Sequence, residues 1–246
     1  MLGKAAAEKL IVTEELENAV ATEKPQFMLI HGETGTGKTT CLRTLTSYGR
    51  VELFDIDQNS DGLIGEPGVV RHTFKGGINN KDAMEALEYL IRSKVEAFKD
   101  DPPAAVVLDS LTTLSLMAME NVLGKSGRQG QMPTLPEYGL QVTAVRRMLL
   151  FLGALPVTKC AICVGHSVLE SDEASGRHVY NLATTKSLKV VLPRLFGEIY
   201  FAHVEGSDDK ARYLWRTRKS AQITDARSQL GLEPIMEQDF TKIFGA

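Results

Sequence analysis

The residues best suited to chemistry lie together in His31-Gly32-Glu33-Thr34-Gly35-Thr36-Gly37-Lys38-Thr39-Thr40. This run satisfies the phosphate-loop pattern G-x-x-x-x-G-K-[ST] at each fixed position. Gly32, Gly35 and Gly37 let the backbone bend until several N–H groups point inward at phosphate oxygens, with Glu33, Thr34, Thr36 and Thr40 as the intervening and flanking cradle. A helix expected from Lys38 adds its positive dipole end. Lys38 would reach the outer phosphates of a nucleoside triphosphate, and the Thr39 hydroxyl would ligate Mg²⁺.

Two acidic strand ends supply the remaining chemistry. Ala104-Ala105-Val106-Val107-Leu108-Asp109 is an apolar run closed by a carboxylate, the second nucleotide-site signature, and Asp109 is placed to hold the Mg²⁺ shell. Val51-Glu52-Leu53-Phe54-Asp55-Ile56-Asp57 reads as a strand with acids at its exit.

These side chains need a frame. Phe27-Met28-Leu29-Ile30 reads as a buried strand feeding the loop, and Cys160 to Gly165 as another, ending at His166. Met84, Leu87, Ile91, Val95 and Phe98 mark one face of a helix over 81–98, and Val142, Val145, Leu149 and Leu152 mark a second over about 137–152. Residues 124–136 and 167–185 read as polar loops, and 58–77 as a third. Residues 198–204 and 211–217 read as a strand pair around a turn. Alternating strands and helices predict an α/β fold with a mostly parallel central sheet covered on both faces, and an antiparallel C-terminal edge. An N-terminal helical segment, 1–25, is expected to precede one domain over 26–246.

Composition narrows the field. Of 246 residues, 43% are apolar and the net charge is −3, so a nucleic acid would have to meet local loops rather than an all-over basic surface. The absence of a long apolar run argues against a membrane span. Three cysteines fit a reducing cytoplasm, and Cys160 and Cys163 read as core residues on opposite faces of a strand. Asn79-Asn80-Lys81-Asp82 has the letters of a guanine-reading motif but precedes a helix, away from the expected place.

The order of these features resembles the RecA-like P-loop ATPase core, and within it the small phage-encoded ATPases linked to single-strand annealing and recombination. The resemblance spans about 26–235. It implies ATP and Mg²⁺ as ligands, hydrolysis of the γ-phosphate, a homo-oligomeric ring or filament, and single-stranded DNA as partner, in the host cytoplasm if phage-encoded. By the resemblance Asp57 orients the attacking water, where the family usually carries the longer Glu, and Asp55 competes for the role. His166 matches the polar sensor of the γ-phosphate. Arg227, in Gln222-Ile223-Thr224-Asp225-Ala226-Arg227, matches a cation that enters the neighbouring subunit's site, with Arg216 and Arg218 as rivals; Asp225 stands where the family has lysine. The loops at 124–136 and 167–185 fall at the family's DNA-contacting positions. Lys125, Arg128, Arg177 and Lys186 would meet phosphates there, while Glu170, Asp172 and Glu173 would repel them. Two other readings are a P-loop kinase acting on a small molecule and a nucleotide-gated assembly factor with little hydrolysis.

Overall fold

The structure, a computed structural model, describes residues 24–74, 82–171 and 176–245. The expected N-terminal helix lies outside them, as do Asn79, Asn80, Lys81, Asp172 and Glu173.

Among the described residues nine strands form a sheet in the order β3-β2-β4-β5-β1-β7-β8-β9, with β6 hung on β5. The strands are β1 (Gln26–Gly32), β2 (Val51–Asp55), β3 (Val69–His72), β4 (Ala105–Asp109), β5 (Cys160–Ser171), β6 (His178–Leu182), β7 (Glu198–Glu205), β8 (Arg212–Arg216) and β9 (Ile235–Glu237). From β3 to β7 the pairings are parallel; β7–β8 and β8–β9 are antiparallel. This is the mostly parallel sheet with an antiparallel C-terminal edge that the sequence predicts. Its central strands are apolar at nearly every position because both faces are covered.

One face packs on helices Ala83–Asp100, Leu111–Lys125 and Leu135–Gly153, through Leu87, Ile91, Leu114, Val145 and Leu149 among others. The other packs on a 3-10 helix, Thr40–Tyr48, and the C-terminal turn of helix Thr241–Phe244, through Leu42, Leu45, Trp215, Phe240 and Ile243. Cys160 faces the second core and Cys163 the first, so the pair cannot share a metal.

Register brings the chemistry to one rim. Asp55 lies opposite Asp109, and Gly32 lies opposite both His166 and Ala202. In parallel sheets ligands sit beyond these carboxyl ends.

Four expectations change. The helix after the phosphate loop starts at Thr40, not Lys38, because Gly37 at φ 83° is still turning the chain. β2 stops at Asp55, and Asp57 lies beyond it. The loop over 58–77 contains edge strand β3, whose pairing with β2 its mixed sequence Val-Val-Arg-His does not announce. The expected polar loop after Ser167 is instead a hairpin arm: β5 continues through Ser171 and pairs antiparallel with β6. Leu182, buried at the base of that arm, anchors it to the core.

Candidate nucleotide site

The loop's first glycine is required by crowding: a Cβ on Gly32 would lie 2.3 Å from the Ala202 carbonyl oxygen of β7. Beyond it, the Thr36 hydroxyl donates to the Glu33 carbonyl (2.8 Å) and the Lys38 ammonium donates to the carbonyls of Gly32 (3.1 Å) and Glu33 (2.6 Å). Lys38 is only 5% exposed. Burial pulls its pKa down, and Asp109 leads the groups that oppose this.

Thr39 follows directly, and its hydroxyl donates to Asp109 Oδ2 at 2.6 Å. The Asp109 carboxyl is pushed up to about 6, first by burial and then by the like charges of Asp57 and Asp55, with the Thr39 bond opposing. A hydroxyl and a carboxylate in contact, in a cluster with surplus negative charge, are hard oxygen donors of the kind Mg²⁺ takes. The residues present therefore fit that ion, with Thr39 and Asp109 as its holders.

Asp57 reaches the rim because the main chain leaves β2 for the tip of β4: the Ile56 and Asp57 amides both donate to the Asp109 carbonyl, at 2.7 and 3.2 Å. Its Oδ1 accepts from Ser110 Oγ (3.0 Å) and its Oδ2 lies 3.1 Å from His166 Nε2. Burial raises the Asp57 pKa, but hydrogen bonds from His166, Thr113 and Ser110 outweigh it and hold the carboxyl below its usual value. His166 is fixed in turn by its amide, which donates to Thr112 Oγ1 at 3.0 Å.

Asp55 is occupied elsewhere. It is fully buried, accepts from Ser60 Oγ (2.6 Å) and pairs with Arg71 Nε (2.8 Å), tying the post-β2 loop to β3.

Thr34 to Thr40, Asn59, Asp109 and His166 together line a cleft of about 190 Å³. A second cleft of about 410 Å³ adjoins the same loop, sharing Gly35, Gly37 and Thr40 and walled by Arg43, Tyr213 and Gln238. Sequence reasoning brought Lys38, Thr39, Asp109, His166 and Asp57 to one place. It missed Tyr213 and Gln238, for which no local pattern exists, and Ser110 and Thr113, whose spacing as a helix cap was available to read.

The other cations stand apart from the loop. Lys125 pairs with Glu85 at 2.8 Å, and Arg128 with Glu137 at 2.7 Å. Arg177 is exposed at the tip of the β5–β6 arm, just before β6, and Lys186 is exposed beyond its base. The Arg227 guanidinium donates to the carbonyls of Pro193 and Phe196 in its own chain. Arg218 donates to the Leu232 carbonyl at 3.4 Å, and Arg216 is half-buried.

The sequence matches the family described as an AAA domain (AAA_24) over residues 24–229. The chain belongs to this family. The match covers both acidic strand ends, His166 and Arg227, and makes this AAA-domain protein a P-loop ATPase by family. No curated protein matches the sequence. Among solved structures, an ATPase from the type III secretion system of pathogenic bacteria aligns at 16% identity and TM-score 0.49, over 72% of this chain and 52% of that one. This chain thus spans about half the length of that ATPase. The flagellar accessory protein FlaH from Methanocaldococcus jannaschii aligns at 12% identity and TM-score 0.43, over 89% and 86% of the two chains. A KaiC-like protein from Pyrococcus horikoshii OT3 aligns at 13% and 0.41, over 77% of each. Among the described residues no helix is long and apolar enough to cross a membrane.

Proposed function

We propose that this AAA-domain protein binds ATP with Mg²⁺ and hydrolyses the γ-phosphate. The observation that carries the reading is the Thr39–Asp109 contact on the floor of a cleft walled by the phosphate loop, with His166 at its side and Asp57 behind. Loop amides and Lys38 bind and orient the phosphates. Mg²⁺, held by Thr39 and Asp109, supplies charge neutralisation at the phosphate oxygens. Asp57, kept ionised by its three donors, accepts a hydrogen bond from the attacking water, and His166 fixes the carboxylate's aim. The larger cleft beside Tyr213 takes the nucleoside.

The proposal extends to single-stranded DNA, in annealing, recombination or replication, as in the phage-encoded ATPases the sequence resembles. Its support is mechanical: the β5–β6 arm grows from the strand that carries His166, so a ligand on the arm pulls on the group that aims Asp57. Arg177 and Lys186 are the proposed phosphate contacts. Sites completed between subunits, with Arg227 or a neighbour acting in trans, complete the proposal.

Phosphate release by wild type and Lys38→Ala, with and without single-stranded DNA, tests this, read beside particle mass with and without ATP. Turnover unchanged by Lys38→Ala overturns the site. A second reading, a nucleotide-gated assembly factor, is favoured by one observation: both Asp57 oxygens are engaged by Ser110 and His166. Stoichiometric nucleotide that stays intact through hours with Mg²⁺ would select it.

A further inference from the structure

We infer that Gln238, which lies just after the last strand, is a positioning residue that holds the phosphate loop in its binding shape. The inference rests on the proposed ATP site and adds a residue remote in sequence to it.

The Gln238 side chain is nine-tenths buried and spans from the sheet edge to the loop. Its Nε2 donates to the Thr36 carbonyl at 2.8 Å and to the Leu214 carbonyl of β8 at 3.1 Å. The first bond has a geometric consequence. The peptide between Thr36 and Gly37 is planar and trans, so its carbonyl and its N–H point in opposite directions. Drawing the Thr36 oxygen toward Gln238 turns the Gly37 N–H away from Gln238, toward the cradle side of the loop. An amide that faces the phosphates before they arrive avoids the cost of ordering the loop on binding.

The anchor is itself fixed. The Gln238 amide donates to the Tyr213 carbonyl at 3.1 Å, and two residues on the Phe240 amide donates to Thr44 Oγ1 at 3.0 Å, on the helix that follows the loop. Phe240 is fully buried against Trp215, ring centroids 4.8 Å apart. Contact is also close from the other side. A Cβ on Gly37 would lie 2.8 Å from both Gln238 Oε1 and the Tyr213 ring. Gly37 is thus required twice, by its φ of 83° and by the two side chains that lean on it.

The test is titration of a fluorescent ATP analogue, with Mg²⁺, into wild type, Gln238→Met and Gln238→Glu. Methionine keeps the volume and removes the donor; glutamate turns a carboxylate toward two carbonyls. Gln238→Met is expected to raise Kd about tenfold and Gln238→Glu more. KM for ATP should rise by the same factor, with kcat at saturating ATP within twofold. A role in folding alone would lower the unfolding midpoint and leave Kd unchanged. Equal affinity in wild type and in whichever variant folds overturns the inference. Wild type that binds no nucleotide overturns the ATP reading instead. Hydrogen exchange on wild type needs no variant: ATP should protect 235–239 together with 34–40, and protection confined to 34–40 counts against Gln238.

Discussion

The phosphate-loop cleft and the segment 124–137 both gather charge, and they treat it in opposite ways. In the cleft, burial and neighbouring charges pull ionisable groups away from their usual pKa values. Lys38 is drawn below its usual pKa and Asp109 is raised to about 6; outside the cleft, on β1, fully buried His31 is lowered to about 4 by burial and by Lys38. In 124–137 the cations meet acids of the same chain, Lys125 with Glu85 and Arg128 with Glu137. Glu137 also accepts from the Thr134 amide at 2.6 Å, closing a helix cap. Charges kept in tension mark a place for an outside ligand to complete; charges already paired hold the fold.

The sharpest way to break the contrast is Lys38→Ala. Nucleotide affinity or turnover should fall at least about a hundredfold, by equilibrium titration and phosphate release.

Next come the two aspartates. Asp57→Asn should keep ATP affinity within about threefold and lower kcat on the order of a hundredfold. Asp55→Asn should act on the fold, because Arg71 loses its buried partner. A stability loss of about 3 kcal/mol is expected in urea unfolding. Reversed outcomes would exchange their roles.

Acid separates His31 from Asp109. The His31 folded pKa lies below its unfolded value, so the unfolded chain takes up more protons as pH falls from about 6.5 to about 4, and stability drops. Between pH 7 and pH 5 this is about 2 kcal/mol. Asp109 works in reverse: its raised pKa lets the folded state take the extra proton, which stabilises as pH falls through about 6. The two partly cancel in wild type. His31→Gln should therefore lose less stability than wild type from pH 7 to pH 5, read by denaturant unfolding at each pH.

The smallest effect is expected where charge is already paired. Lys125→Ala with Arg128→Ala should change DNA-stimulated turnover less than about twofold. Arg177→Ala with Lys186→Ala should weaken DNA binding severalfold and flatten its salt dependence. Larger losses from the first pair would return DNA to that loop.

Much of the sheet could be read from the chain because parallel strands buried on both faces leave continuous apolar runs, as in Ala105 to Leu108. Asp109 was legible for the same reason, as the charge that ends such a run. What could not be read is pairing between distant segments. Gln238 meets Thr36 across 202 positions, and His31 Nδ1 meets Ser167 Oγ at 2.8 Å across 136. Neither contact leaves a trace in local spacing. β3 was hidden because an edge strand needs no apolar alternation once its backbone has a partner. The Thr134-x-x-Glu137 cap was local, and its pattern was there to be seen.

Trp215 is the chain's one tryptophan, and it sits in β8 opposite Met236, its ring fully enclosed against Tyr200 and Phe240. Its indole is thus a native optical gauge, seated between the sheet centre and the terminal residues that reach over to the nucleotide cradle. Any event that loosens that far edge should shift and dim its emission without an added label.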